Sequence, residues 1–233
     1  MADLSQRSTR AELMDAPGVS RADYNRCLAD LERVNRWTLT HRATLDWLGQ
    51  ALARLPRDAP VTILDVACGH GDLLRAIYLW ARAHDRQVRL YGLDLNPAST
   101  LAAQAATPVQ MPIAYRTGNV FEDVPLPVPD LIVSSQFTHH LSDAEVVTFL
   151  HWLERHARYG WFIADLHRHA LPYYGFRVLA TLAGWHRIVR YDGTVSIARS
   201  FRRHDWEHLL AQAGLQAQVR WHVPFRLCVG RLK

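Results

Sequence analysis

The stretch Asp65-Val-Ala-Cys-Gly69-His-Gly71 sets an acidic residue ahead of two glycines, and Asp94 follows in YGLDLNP. Glycines at a strand-to-helix turn let backbone pass close to a ligand, and a carboxylate ending the next strand can accept both hydroxyls of a ribose. Further along stand Phe137-Thr-His-His140-Leu and Asp165-Leu-His167-Arg-His169. Histidine is the side chain suited to taking a proton near neutral pH, and a carboxylate on its other ring nitrogen fixes the tautomer. His139 with Asp165 is the expected base and its orienting carboxylate. His140 and His167 are the alternative bases, and His140 is more readily read as shaping its loop through a backbone hydrogen bond. No metal-ligand spacing emerges, so no metal is expected. His167 and His169, two apart on a loop, are expected to hold substrate.

These groups need elements that bring them together. Ser20-Arg-Ala-Asp23 reads as a helix start, and Tyr24, Cys27, Leu28, Leu31 and Val34 then recur at helical spacing. A second helical face, Leu45, Leu48, Leu52 and Leu55, closes at Pro56 to Pro60. Strands are expected at Val61–Val66, Val88–Leu95, Ile113–Val120, Leu131–Ser135 after the Pro-rich turn VPLPVPD, and Gly160–Leu166. Helical stretches separate them: about Asp72 to His84, Asn96-Pro97 to about Ala106, and the Ser142-Asp-Ala-Glu145 capping box to about Arg158. Such alternation implies a parallel, doubly wound α/β sheet with right-handed crossovers, which binds ligands outside the carboxyl ends of its strands. From His167 to about Arg199 the alternation is interrupted by aromatic and basic residues, with a short helix around Phe176–Leu182; this reads as an inserted lid. A helix His204–Ala213 and strands near Gln216–Val223 and Arg226–Leu232 follow, the last two as an antiparallel hairpin. The expected organisation is an N-terminal helical cap over 1–58 and an α/β domain over 59–233 carrying the lid at about 167–199.

Composition narrows the function classes. With 233 residues, 49% of them apolar, the chain suits one α/β domain rather than two. The formal charge is +5, but the 27 basic residues are scattered and form no arm, so nucleic acid is not an expected partner. Neither a secretory leader nor a membrane-length apolar run is present, and the reading is a soluble cytoplasmic protein without a membrane partner. Cys27, Cys68 and Cys228 are odd in number and far apart, and are expected to be free thiols.

Leu74 stands where a dinucleotide site wants its third glycine, which argues against NAD or FAD. DVACGHG instead resembles the first motif of the Rossmann-like methyltransferases that depend on S-adenosylmethionine, and the resemblance runs roughly from Val61 to Leu166. It implies a mostly parallel seven-stranded sheet with strands four and five adjacent, about 4.8 Å apart, so that residues beyond their ends can meet. It also implies S-adenosyl-L-methionine as cofactor and S-adenosyl-L-homocysteine as product. On that resemblance Asp65, Ala67, Gly69 and Gly71 surround the methionine portion, with Asp65 organising its amino group. Asp94 takes the ribose, and Leu95 lies beside the adenine. Asn119 stands where the family usually carries Asp against the adenine amino group, with Val120 next to it, and Ser135 ends strand four beside the cofactor. Asn119 can still accept that hydrogen bond through its carbonyl. Arg36, in Asn35-Arg36-Trp37, is expected to reach the cofactor's carboxylate.

A second resemblance lies at the ends. ELMD, NRW and DLHRHALPYYGF are similar to segments of small bacterial methyltransferases found beside type III polyketide synthases. This implies an O-methyltransferase of secondary metabolism acting on a hydroxylated aromatic or polyketide-derived acceptor. Tyr173, Tyr174, Phe176, Trp185 and His186 would suit a planar aromatic acceptor, or would pack the lid on itself. Arg168, Arg177 or Arg199 would neutralise an acidic one. The expected partner is a small-molecule, aromatic acceptor, and a homodimer is open. Carbon or nitrogen methylation, or a non-catalytic cofactor-binding module, are the competing readings.

Overall fold

The computed structural model describes residues 2–14, 16, 18–122 and 127–233. Asp15 of ELMD and the start of the Pro-rich turn lie outside the described residues. The chain runs α1 (Arg21–Trp37), α2 (Arg42–Leu52), β1 (Val61–Val66), α3 (Asp72–Ala83), β2 (Val88–Asp94), α4 (Pro97–Ala106), β3 (Ile113–Thr117) and β4 (Leu131–Ser135). It continues through a single 3-10 turn (Thr138–His140), α5 (Asp143–His156), β5 (Gly160–Leu166), α6 (Ala170–Leu182), α7 (Arg187–Arg199), α8 (Arg203–Gln212), β6 (Gln218–His222) and β7 (Arg226–Leu232). The strands form one seven-stranded sheet in the order β3-β2-β1-β4-β5-β7-β6. Strands β1 to β5 pair in parallel, and β7 runs antiparallel to both β5 and β6. This is a doubly wound, mostly parallel α/β sheet, with the antiparallel final hairpin in place.

Alternation along the central strands sorts the core onto the two faces of the sheet. Ile63, Leu131, Val133 and Phe162 pack with Trp47, Leu48 and Leu74 of α2 and α3. Leu64, Val66, Ile132, Trp161 and Ile163 pack with Phe149 and Leu153 of α5 and Trp206 of α8. Each such fully buried side chain contributes roughly 1.5–3 kcal/mol of transfer free energy. The core therefore fixes the register that points Asp65 and Asp165 to opposite faces at the strand ends. Two caps sharpen the helix starts. Ser20 Oγ accepts the Asp23 N–H at 3.0 Å, and the Ser142–Glu145 capping box closes in both directions ahead of α5.

The stretch expected as a lid with one short helix is two helices, α6 and α7, packed on each other and on α1 through Cys27, Val34, Ala180, Trp185, Ile188 and Val189. The residues preceding Phe176 join the helix because His169 caps it, its Nδ1 accepting the Leu171 N–H at 3.2 Å. Trp185 packs against Trp37 and Phe176, so part of the aromatic content serves the helix pair itself. The N-terminal strap ahead of α1 lies against α7 and the 3-10 turn. Asp192 accepts the Leu13 and Met14 N–H groups, and Arg199 donates to Arg10 O and to the carbonyls of His139 and His140. Among the described residues no helix is long and apolar enough to cross a membrane. Cys27, Cys68 and Cys228 are free and buried.

Candidate active site

A cavity of about 430 Å³ opens at the carboxyl ends of β1, β4 and β5, beneath α1, α6 and α7. Asp65, Ala67, Gly69, Ser135, His139 and His140 line it, which brings together six of the residues expected from the sequence. The backbone around the first loop is bent to make this space. Ala67 has φ 59°, and Gln136 after β4 has φ 54°, left-handed conformations that non-glycine residues adopt at a cost of order 1–3 kcal/mol. Gly69 is also left-handed, and a Cβ there would point into open space, the kind of cradle a closely approaching ligand fills. Gly71 is needed for a different reason: its φ is +74°, and a Cβ would lie 2.3 Å from Tyr115 Oη.

The floor of the cavity holds polar atoms that fit a cationic, hydroxyl-rich ligand. Asp65 is 2% exposed, and its Oδ1 has no hydrogen-bond partner; Ser135 Oγ is buried in the same condition. Burial, reinforced by the charges of Asp72 and Asp94, pushes the Asp65 carboxyl well above its ordinary 3.8. Asp72 behaves oppositely. Burial would raise it, but hydrogen bonds from His41 Nε2 at 2.9 Å and Asn35 Nδ2 at 2.8 Å, with the nearby charges of His41 and Arg75, bring it to about 2. Asp94 ties the loop to the end of β2: its Oδ2 accepts the Gly69 N–H at 2.8 Å, and its Oδ1 accepts the Asn96 N–H at 2.9 Å.

On the other face, Asp165 is completely buried and accepts from Thr138 Oγ1 at 2.5 Å, the His139 N–H at 3.0 Å and the Leu166 N–H at 2.7 Å. His139 Nδ1 lies 2.7 Å from its Oδ1. Burial would raise this carboxyl, but the charge and ring N–H of His139, then the Thr138 hydroxyl, hold it at about 2. The ionised carboxylate therefore accepts the hydrogen bond of the Nδ1–H and leaves the His139 Nε2 lone pair on the cavity side. Nε2 stands 3.6 Å from Glu12 Oε1, and His140 Nε2 stands 3.9 Å from Glu12 Oε2.

Several expected residues lie elsewhere. Arg36 is exposed and does not line the cavity, because that turn of α1 directs its neighbour Asn35 inward, bonded to Asp72 and to Gln136. Leu95 is 71% exposed, and Val120 is part of the core. Asn119 already accepts the Phe121 N–H and donates to Glu122. Asp94 and these adenine-side residues stand outside the cavity proper, reached through Gly69. Tyr173 and Tyr174 do not line it either, since helical spacing turns Leu171, Pro172, Gly175, Phe176 and Leu179 of α6 inward instead. His169 is the helix cap, and His167 stacks beside it outside the cavity. Arg168 and Arg199 are occupied with backbone carbonyls, and Arg177 is exposed.

Other residues entered that the sequence did not single out. Arg226 lines the cavity, is buried, donates to Thr38 Oγ1, Thr40 Oγ1 and Pro224 O, and keeps a buried Nε without a partner. Burial lowers it to about 10. Among the described residues no carboxylate forms a salt bridge with it. Glu12 arrives on the N-terminal strap, and only chain folding places it beside His139.

A family described as "Methyltransferase domain" matches residues 37–218. No relative among curated proteins matches. Solved structures share the fold. Magnesium protoporphyrin IX methyltransferase from Synechocystis PCC 6803 with bound SAH is 17% identical, with 94% of this chain and 91% of that chain covered and a TM-score of 0.57. Human N-acetylserotonin methyltransferase in complex with SAM is 17% identical, with 92% and 56% covered and a TM-score of 0.62. The plantazolicin methyltransferase BpumL in complex with a triazolic desmethylPZN analog and SAH is 15% identical, with 80% and 68% covered and a TM-score of 0.59. A glycine loop opening on a buried, unpartnered carboxylate, this sheet order and the match over 37–218 lead to one identification: the chain belongs to the methyltransferase-domain family and is a Rossmann-like S-adenosylmethionine-dependent methyltransferase.

Proposed function

We propose that the enzyme is a cytoplasmic O-methyltransferase of bacterial secondary metabolism, acting on a small hydroxylated aromatic or polyketide-derived acceptor. One observation carries this reading: the buried His139–Asp165 pair turns its free ring nitrogen into the same cavity as the glycine loop. When bound, the cofactor would supply the methyl group as a sulfonium methyl and would leave as S-adenosylhomocysteine once the methyl passes to the acceptor oxygen. His139 Nε2 takes the hydroxyl proton, and Asp165 stabilises the imidazolium that forms. The wall contributed by Met14, Leu171, Pro172, Phe176, Leu179 and Val189 is apolar and suits a flat ring, held by burial rather than by paired charges. Asp65 and Ser135 offer their unpartnered oxygens to the methionine portion of the cofactor. Arg226, rather than Arg36, is the buried cation available to its carboxylate.

A panel of phenols, pyrones and quinols, incubated with a carbon-13 methyl-labelled cofactor, tests the reading. An O-methyl carbon resonance in the product is expected, and His139→Ala should lower turnover roughly 10²–10⁴-fold with unchanged cofactor affinity. A C-methyl or N-methyl product, or full activity in that variant, would overturn it.

A further inference from the structure

We propose that Glu12, His139 and His140 form a binding site for a divalent transition-metal ion, zinc foremost, facing the acceptor side of the cavity. His139 Nδ1 is committed to Asp165 at 2.7 Å, so its Nε2 lone pair faces the Glu12 carboxylate, acceptor toward acceptor. The 3.6 Å and 3.9 Å separations from Glu12 to the two histidine nitrogens exceed hydrogen-bond reach. They approach the spacing of two ligands on one ion: donors about 2.0–2.1 Å from a tetrahedral zinc lie about 3.4 Å apart. One ligand atom from each of the three residues falls within 4.8 Å of the others. Inward movement of the side chains closes the set on one ion.

The surroundings are those of a built site. Glu12 is 7% exposed and His139 3% exposed, while His140 is half-buried at the cavity wall. Ser196 Oγ donates to Glu12 Oε1 at 2.9 Å, and Asp165 holds His139, the carboxylate–histidine arrangement that orients metal ligands. Arg199 fixes the carbonyls of both histidines and of Arg10, locking the strap that carries Glu12 to the turn that carries the rings. Two histidines and a carboxylate make a three-ligand set suited to a catalytic ion, leaving a coordination position open to the cavity.

The role, which rests on the O-methylation reading, is to take the acceptor's hydroxyl oxygen in that open position. The ion's charge favours loss of the hydroxyl proton to solvent water and presents the oxygen as an anion. His139 Nε2 is then a ligand, and polarisation by the ion replaces proton abstraction by the ring. Binding itself requires no acceptor and is tested without one. Chelator-treated full-length protein is titrated with Zn(II) by calorimetry and with Co(II) by visible absorption. One equivalent is expected to bind, with affinity reduced more than about 100-fold in Glu12→Gln and in His140→Ala, and about 10–100-fold in Asp165→Asn. His169→Ala, an exposed histidine, should match the wild type. Retained S-adenosylhomocysteine binding shows that each variant is folded. Absence of stoichiometric binding in the wild type, or binding indifferent to Glu12→Gln and His140→Ala, overturns the site. Full O-methylation by chelator-treated enzyme overturns its role and leaves the O-methylation reading intact. Stoichiometric metal binding together with C- or N-methylated products supports the site while refuting that reading.

Discussion

Cofactor binding should release a proton from Asp65. This carboxyl is completely buried, one oxygen has no partner, and burial with the Asp72 and Asp94 charges holds its affinity for protons well above the ordinary value of 3.8. In the free enzyme it takes up a proton as pH falls through that raised range. The cofactor's ammonium, bound directly or through water, favours the ionised form and expels the proton. Full coupling weakens binding tenfold per pH unit below the raised value, about 1.4 kcal/mol each. Between pH 7.5 and 5.5 the dissociation constant of S-adenosylhomocysteine should therefore rise as the pH falls. The upper limit keeps the ligand's own amino group charged, since such groups titrate near 7.7–8.0. Calorimetry in two buffers of different ionisation enthalpy counts the protons directly, and the number released per ligand is expected to increase toward the acidic end. Asp65→Asn should flatten the profile and weaken binding about 10–150-fold at pH 7.5, the loss of a charged acceptor at roughly 1.5–3 kcal/mol. A dissociation constant constant from pH 5.5 to 7.5 with no proton released, or an unchanged profile in the variant, refutes the assignment of Asp65 to the amino group.

Asp94→Ala should weaken cofactor binding about 10–150-fold by calorimetry, because both its oxygens also hold the loop backbone at Gly69 and Asn96. Arg226→Met should weaken cofactor binding by a comparable factor without lowering the denaturation midpoint, since it removes a buried charge with a partnerless Nε; full affinity would place the carboxylate elsewhere. Asp165→Asn should lower turnover about 10²–10⁴-fold by favouring the wrong tautomer of His139, with cofactor affinity unchanged. Asp72, held at about 2 against 3.8 unfolded, contributes about 2 kcal/mol that is present above pH 5 and lost as pH falls toward 2. Denaturant unfolding of Asp72→Asn should lack that share of the acid-side decline.

Strands β1, β4 and β5 begin and end where the sequence placed them, because short apolar runs bounded by polar turns leave few alternative registers. The capping box before α5 and the glycine loop were equally legible, since each depends on neighbours within a few residues. Strand β3 stops at Thr117 rather than Val120, where the backbone turns toward Asn119 and its local hydrogen bonds. The helix pair α6 and α7 is less legible for the same kind of reason: aromatic residues obscure the helical period, and the cap of α6 is a histidine, His169.

Local sequence thus determined the alternation of strands and helices and the glycine loop, while the meeting of the turn after β4 with the end of β5 followed from the family resemblance, which implied that those strands are adjacent. Tertiary structure alone decided which side chains face the cavity. Glu12, Asn35 and Arg226 reach it from the strap, the first helix and the last strand, while Arg36, Tyr173 and Tyr174 turn away from it. Hydrogen-bonding patterns of helices and strands are set by near neighbours, but a site at the mouth of a sheet is assembled from distant segments. Its contents follow from how those segments pack, which periodicity does not encode.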